Sequence, residues 1–90
     1  MRLKKPKPLS AADEWDLQIV REATHFTTFW RSGPWRAERS QHISYREAKA
    51  YRDENYTPDE RLRVLIYAVN AAQRQALVTE QFAELLGLGD

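Results

Sequence analysis

One stretch of the sequence decides the fold: residues 25–52 read HFTTFWRSGPWRAERSQHISYREAKAYR. Its first part, residues 25–30, is rich in β-branched and aromatic residues, which favour strands. Ser32-Gly33-Pro34 is a strong turn signal, and residues 35–40 then alternate between apolar-stemmed and polar side chains. The pattern predicts a β-hairpin with its turn at residues 32–34.

The end of the same stretch predicts a helix packed on that hairpin. Ser44 is a good N-cap, and Glu47, three residues later, can complete a capping box. Tyr45, Ala48 and Tyr51 make an apolar stripe at helical spacing. We expect this helix to end near Asn55, before Thr57-Pro58.

The residues before the hairpin predict a first helix over about 10–24. Ser10 is its N-cap, with Asp13 as the capping-box partner. Ala12, Trp15, Ile19 and Ala23 recur at helical spacing, and Leu17 and Val20 widen the stripe. Trp15 is the largest of these side chains, so we expect it to be the main core anchor of the helix.

The residues after Pro58 allow two interpretations. Residues 63–69 are rich in β-branched and aromatic side chains and predict a buried strand, with residues 74–79 as its hairpin partner. The alternative is one long helix over residues 58–86, because apolar residues also recur at helical spacing there. We favour the strand interpretation, in which residues 82–86 form a short last helix stopped by Gly87.

Together these elements predict a small α+β fold in the order α-ββ-α-ββ-α, an antiparallel sheet packed by helices. A chain of 90 residues supplies one core, so we expect a single domain over residues 10–90. Residues 1–9 are basic and contain two prolines, which predicts a flexible tail. The 42% hydrophobic content argues against disorder, and the absence of Cys excludes disulfides.

Charge is balanced in total but uneven along the chain. Lys and Arg number 14 against 13 Asp and Glu, and a net charge of +1 excludes the strong overall field of a purely electrostatic DNA binder. Basic segments at residues 1–9 and 25–52 nevertheless alternate with acidic segments at residues 10–24 and 53–90. A basic surface can therefore exist on a nearly neutral protein.

Arginines and aromatic residues interleave between residues 29 and 52, a combination that suits nucleic acid because guanidinium groups bind phosphates and flat rings stack on bases. The alternative is that the tryptophans are core residues and the arginines a solvated face. The candidate partner-surface aromatics are Trp30 and Trp35. The candidate nucleic-acid-binding residues are Arg31, Arg36, Arg39, Arg46 and Lys49, with Lys4, Lys5 and Lys7 in the tail.

Residues 26–52, a strand pair followed by a helix that begins Ser44-Tyr45-Arg46-Glu47-Ala48, resemble the arm-type DNA-binding domains of phage integrases and the related AP2-like domains. In those families the helix typically starts with Ser or Thr, two variable residues and Glu-Ala. The resemblance implies a base-reading face of the sheet near Arg31, Arg36 and Arg39.

Catalytic and membrane signals give no candidates. His25 and His42 are the two histidines, without Cys or metal-ligand spacing, and no glycine-rich phosphate loop or nucleophile elbow is present. We therefore expect no catalytic, metal or cofactor residues and no enzyme. The longest apolar run, residues 64–69, is far shorter than a membrane span, so we expect a cytoplasmic protein.

Two functions remain. The first, which the balanced net charge favours, is a non-enzymatic protein-interaction module, an adaptor or inhibitor of the kind that bacteria and phages encode. Its partner is another protein, and the opposed charge segments are compatible with a homodimer. The alternative is a nucleic-acid-binding module that uses residues 29–52 and the basic tail. The exposure of Trp30 and Trp35 discriminates between them, because exposed rings beside arginines favour nucleic acid.

Overall fold

The computed structural model describes residues 9–88 and confirms the predicted α+β class, with one additional short helix. The elements are, in order, α1 (Ala11–Arg21), β1 (Ala23–Arg31), β2 (Ala37–His42), α2 (Tyr45–Asn55), α3 (Pro58–Arg61), β3 (Leu65–Asn70), β4 (Gln75–Leu77) and α4 (Glu80–Leu86). The predicted tail falls outside the described residues except for Leu9, which packs against the core.

The four strands form one antiparallel sheet in the order β2-β1-β3-β4. The hairpin of residues 23–42 supplies β1 and β2, and α2 and α3 then carry the chain back so that β3 pairs with the other side of β1. In this register Thr27 of β1 lies between Gln41 of β2 and Tyr67 of β3. β1 is therefore central, and it sets the registers of strands that lie far apart in sequence.

Helix α1 begins as predicted but ends earlier and packs differently. Ser10 and Asp13 form the reciprocal capping box. The helix ends at Arg21 rather than near residue 24, because Ala23 already belongs to β1. The prediction that Trp15 anchors the core is wrong, since its side chain is 62% exposed. It reaches the β3–β4 turn, where the Arg74 guanidinium lies 5.5 Å from the ring centroid, while Ile19 and Val20 are buried.

The predicted hairpin forms, with a longer turn than expected. Gly33 has a φ of +80°, a conformation that an L side chain rarely adopts, and the Ser32 N–H donates to the Arg36 carbonyl at 2.9 Å. Because β2 begins at Ala37, Trp35 lies at the tip of the turn and not in the strand, where the alternating pattern had placed it.

Residues 57–77 contain both a helix start and a strand pair, the two structures that their sequence indicated. Thr57 and Glu60 form a capping box, but the helix they start, α3, lasts for one turn before β3 begins. The long-helix alternative is therefore wrong and the strand interpretation is confirmed. Asn70 closes the following turn by accepting from the Arg74 N–H, and Gln73 takes a φ of +64°.

Strand β4 is shorter than predicted because its last expected residue has another role. Thr79 accepts from the Phe82 N–H and so caps α4, which ends as predicted before Gly87. Helices α1, α2 and α4 all cover the same face of the sheet, and within residues 9–88 no helix has both the length and the apolar character to cross a bilayer. The buried core contains Ile19, Val20, Phe26, Tyr45, Ala48, Ile66, Ala68, Ala76, Val78, Phe82 and Ala83.

Candidate functional site

Alternate strand residues point to opposite sides of the sheet, so the pairing registers define two faces. The covered face, which lies under α1, α2 and α4, includes Phe26, Thr28, Trp30, Glu38, Ser40, His42, Ile66, Ala68 and Ala76. The open face carries no helix of the described residues. Its strand positions are His25, Thr27, Phe29, Arg31, Ala37, Arg39, Gln41, Leu65, Tyr67, Val69, Gln75 and Leu77.

The open face differs from the rest of the molecule in charge. It holds Arg31 and Arg39, and none of its strand positions in the described sheet is Asp or Glu. Within residues 9–88 the carboxylates lie on helices or their caps, apart from Glu38. Glu38 is opposite Trp30 in the register and faces the helix side of the sheet. The pKa of Tyr56 is raised there, mainly by burial of Tyr56 itself and next by the negative charge of Glu38. The open face of the described sheet thus carries two cations and no carboxylate, whereas the helices carry charges of both signs.

Two predicted arginines share the open face, and each has a defined contact. The Arg39 guanidinium carbon lies 5.1 Å from the centre of the Phe29 ring, which is directly opposite in the register. Arg31 donates from its guanidinium to the carbonyls of Gly33 and Pro34, at 3.2 and 3.3 Å. The Arg39 guanidinium therefore lies against an aromatic ring of the neighbouring strand, whereas Arg31 is held by hydrogen bonds to the turn.

The two candidate tryptophans occupy different environments. Trp35 is 96% exposed at the tip of the β1–β2 turn. Trp30 is half-buried on the covered face, with its ring centroid 5.3 Å from that of Tyr56 at the end of α2. Its Nε1 atom is buried without a hydrogen-bond partner. The structure therefore supports Trp35 as a surface aromatic, whereas Trp30 belongs to the packing between β1 and α2.

The other predicted binding residues do not form one continuous surface with these arginines. Arg36 is exposed in the β1–β2 turn, outside the paired strand positions. Arg46 and Lys49 are exposed on α2, which packs on the opposite side of the sheet. Residues 29–52 are thus divided between two sides of the molecule. The remaining candidates, Lys4, Lys5 and Lys7, lie outside the described residues.

A small pocket of about 180 Å³ lies in the open face, lined by Thr27, Phe29, Arg39, Tyr67 and Gln75. The sequence did not identify Tyr67 and Gln75 as site residues. The alternation of Leu65 and Tyr67 with buried Ile66 and Ala68 is the signal that could have shown Tyr67 on an open face. It became informative only once residues 65–70 were known to be a strand.

On the helix side, a groove of about 570 Å³ lies between α2 and α4. Its apolar lining includes Val64, Ile66, Val78 and Ala83. Lys49 and Arg52 line it from α2, and Glu80 and Glu84 from α4, so its two rims carry opposite charges. Buried Tyr45 also lines the groove, and burial raises its pKa, with Arg52 opposing the shift and Glu80 adding to it.

Comparisons of this chain with protein-family models, with curated proteins and with solved structures found no match. Within residues 9–88, no group of three or more His, Asp or Glu side chains is arranged to hold a metal ion. Function has to be inferred from the two surfaces described above, the open face and the groove between α2 and α4.

Proposed function

We propose that the protein is a non-enzymatic nucleic-acid-binding module that binds through the open face of its sheet and the adjoining β1–β2 turn. The observation that carries the proposal is that the open-face strand positions of the described sheet include two arginines and no carboxylate. Arg31 and Arg39 face outward from strand positions that include no Asp or Glu, while the carboxylates of the described residues lie on helices, on helix caps or, for Glu38, on the covered face. A polyanion at this face meets cations without like-charge repulsion.

Aromatic rings near these arginines, two partly exposed and one almost fully exposed, give a second argument for the proposal. Phe29 and Tyr67 are half-buried on the open face, and Trp35 is almost fully exposed next to Arg36. Aromatic faces of this kind stack on bases with little dependence on sequence. A base-reading sheet face near these arginines is also what the resemblance to arm-type integrase and AP2-like domains implies. We propose a cytoplasmic location for the protein, which agrees with a nucleic-acid ligand.

We favour the nucleic-acid function over the protein-interaction function that the net charge favoured, because of where the charges lie. The net charge of +1 favoured a protein partner, but long-range attraction to a polyanion depends on the charges that face it. Most carboxylates of the described residues are carried by helices on the other side of the sheet. Few cations face outward, so we expect weak binding that is lost as salt rises.

The test is fluorescence anisotropy with labelled DNA and RNA at several salt concentrations, using matched charge variants. Arg39→Gln removes a cation from the open face, and Arg46→Gln removes one from exposed α2 on the other side. If the open face contacts phosphates, Arg39→Gln lowers the slope of log K against log salt by about 1, and Arg46→Gln leaves it unchanged. No binding to any DNA or RNA at low salt overturns the proposal, as does an equal effect of the two substitutions.

The second candidate is a protein-interaction module that associates with a second copy of the same chain. The groove between α2 and α4 favours it, because its cationic and acidic rims are complementary to each other under a two-fold rotation. Lys49 on one copy would then face Glu84 on the other. Arg52 already pairs with Asp53 at 3.1 Å, so Lys49 is the better position to change.

Light scattering over a range of protein concentrations tests this candidate. A homodimer that uses the rims dissociates when Lys49→Glu places like charges together, and it forms again when Lys49→Glu is combined with Glu84→Lys. A monomer at every concentration contradicts the candidate. So does a dimer that neither variant affects, because it must use another surface.

A further inference from the structure

The small pocket in the open face has a simple structural origin. Thr27 stands at the middle of the central strand, between Gln41 and Tyr67 across the sheet and next to Phe29 along its own strand. Because Thr is much smaller than Phe29 and Tyr67, it leaves a depression beside these two rings. Arg39 and Gln75 complete the lining. The depression therefore follows from one small residue in a fixed register.

The pocket's chemistry differs from that of an apolar gap. Phe29 and Tyr67 supply ring surface, and the Thr27 hydroxyl and Gln75 amide supply hydrogen-bonding groups of both kinds. Arg39 adds a cation that lies against the Phe29 ring. Rings with a few polar groups at their edges are the features that bind an unpaired base, which is stacked on one face and hydrogen-bonded at its edge.

Its volume limits what can enter. About 180 Å³ is well below the roughly 300–1,000 Å³ of pockets that hold drug-sized ligands. One flat ring system suits this space better than a larger ligand. Bases within a duplex are stacked on both faces and paired at their edges, so they reach such a pocket only after leaving the helix.

We propose that the Thr27 pocket receives one unpaired nucleobase, so that the ligand class of the open face is single-stranded nucleic acid. This inference rests on the proposed function and adds the substrate class to it. Arg39, which lines the pocket, can then contact the phosphate that follows the bound base. Binding comes from base stacking as well as charge, which separates this surface from a simple cationic patch.

The experiment compares four probes by fluorescence anisotropy at low salt: short single-stranded DNA and RNA of mixed sequence, the matching duplex, and an abasic strand of equal length. The abasic strand keeps the phosphates and lacks the bases, so it isolates the electrostatic part of binding. We expect the wild-type protein to bind the base-bearing single strands about tenfold more tightly than the duplex or the abasic strand.

Two substitutions at one position link this preference to the pocket. Thr27→Ile fills the depression while keeping the charge and the β-branched shape that suits a strand, and Thr27→Ser keeps the space and the hydroxyl. We expect Thr27→Ile to reduce single-strand affinity to that of the abasic probe and Thr27→Ser to retain most of it. Circular dichroism confirms that each variant is folded.

The outcomes distinguish this inference from the proposed function. Equal wild-type affinity for single-stranded, duplex and abasic probes overturns the pocket inference and leaves the cationic face intact. A single-strand preference that persists in folded Thr27→Ile also overturns it. No binding to any probe overturns both. The comparison of base-bearing and abasic strands uses the wild-type protein, so it decides the inference even if Thr27→Ile does not fold.

Discussion

The two faces of the sheet are made by alternate residues of the same strands, yet they differ in composition and environment. The covered face presents Phe26, Ile66 and Ala68 to the three helices, and these side chains are almost completely buried. The open face presents Phe29, Arg39 and Tyr67, which remain partly or fully exposed. One set of backbone hydrogen bonds thus supports both a core and a candidate binding surface. Stability and binding should therefore be separable by substitution.

Two phenylalanines of β1 give the strongest test of this difference between the two faces. Phe26→Ala removes a ring that is 6% exposed in the core, and we expect it to lower the free energy of unfolding by about 3–5 kcal/mol. Phe29→Ala removes a half-buried ring from the open face and should cost about 1 kcal/mol. Urea denaturation followed by circular dichroism measures both.

Phe26→Leu is the control, because it keeps an apolar side chain of similar volume and should cost less than about 1.5 kcal/mol. Equal losses for Phe26→Ala and Phe29→Ala would contradict the assignment of the two faces. That result would mean that the open face is buried in solution, as it would be in an association between copies through the sheet.

Two residues of α1, Val20 and Trp15, provide a second comparison, between the buried and the exposed side of the helix. Val20 is 2% exposed and Trp15 is 62% exposed. We expect Val20→Ala to lower the free energy of unfolding by about 2 kcal/mol. Trp15→Ala removes a mostly exposed ring and its contact with Arg74, and should cost less than about 1 kcal/mol. The same urea titrations check this order, and a greater loss for Trp15→Ala would show that Trp15 is the core anchor after all.

The sequence predicted best the features that depend on a few neighbouring residues. The N-caps at Ser10 and Ser44 and the stop at Gly87 are local signals, and the helix boundaries beside them are accurate. Thr57-Pro58 correctly marks the start of a helix, but nothing local shows that α3 ends after one turn. That end depends on the pairing of β3 with β1, which brings together residues some forty positions apart.

The candidate site could be predicted only in part, for the same reason. The hairpin alternation places Arg31 and Arg39 on one side of β1 and β2, and the sequence identified both. Which side the helices cover depends on long-range packing, so the different environments of Trp30 and Trp35 could not be read from residues 29–36. Gln75 joins the site through the β3–β4 hairpin, which the sequence predicted, whereas Tyr67 joins it through the β1–β3 pairing, which no local signal specifies.

The smallest expected effect concerns a single hydroxyl on the covered side. Burial raises the pKa of Tyr45 above its ordinary value of about 10, with Arg52 opposing the rise and Glu80 and Asp53 adding to it. In the unfolded chain this proton is lost near pH 10, while the folded protein still holds it. The unfolded state then binds fewer protons, so the free energy of unfolding falls as the pH rises through this range. The stabilising contribution of the protonated Tyr45 hydroxyl is fully present below about pH 9.

Tyr45→Phe removes the titrating hydroxyl and leaves the ring that packs edge-on against Phe26 at 6.1 Å. We expect its urea midpoint to fall less than that of the wild-type protein between about pH 9 and 11, because lysines and other tyrosines titrate equally in both and cancel in the difference. If the urea midpoints of the two proteins fall equally as the pH rises, the Tyr45 hydroxyl is solvated through the groove between α2 and α4. In that case the groove is open to water at its floor, and the covered side is less completely sealed than its buried residues indicate.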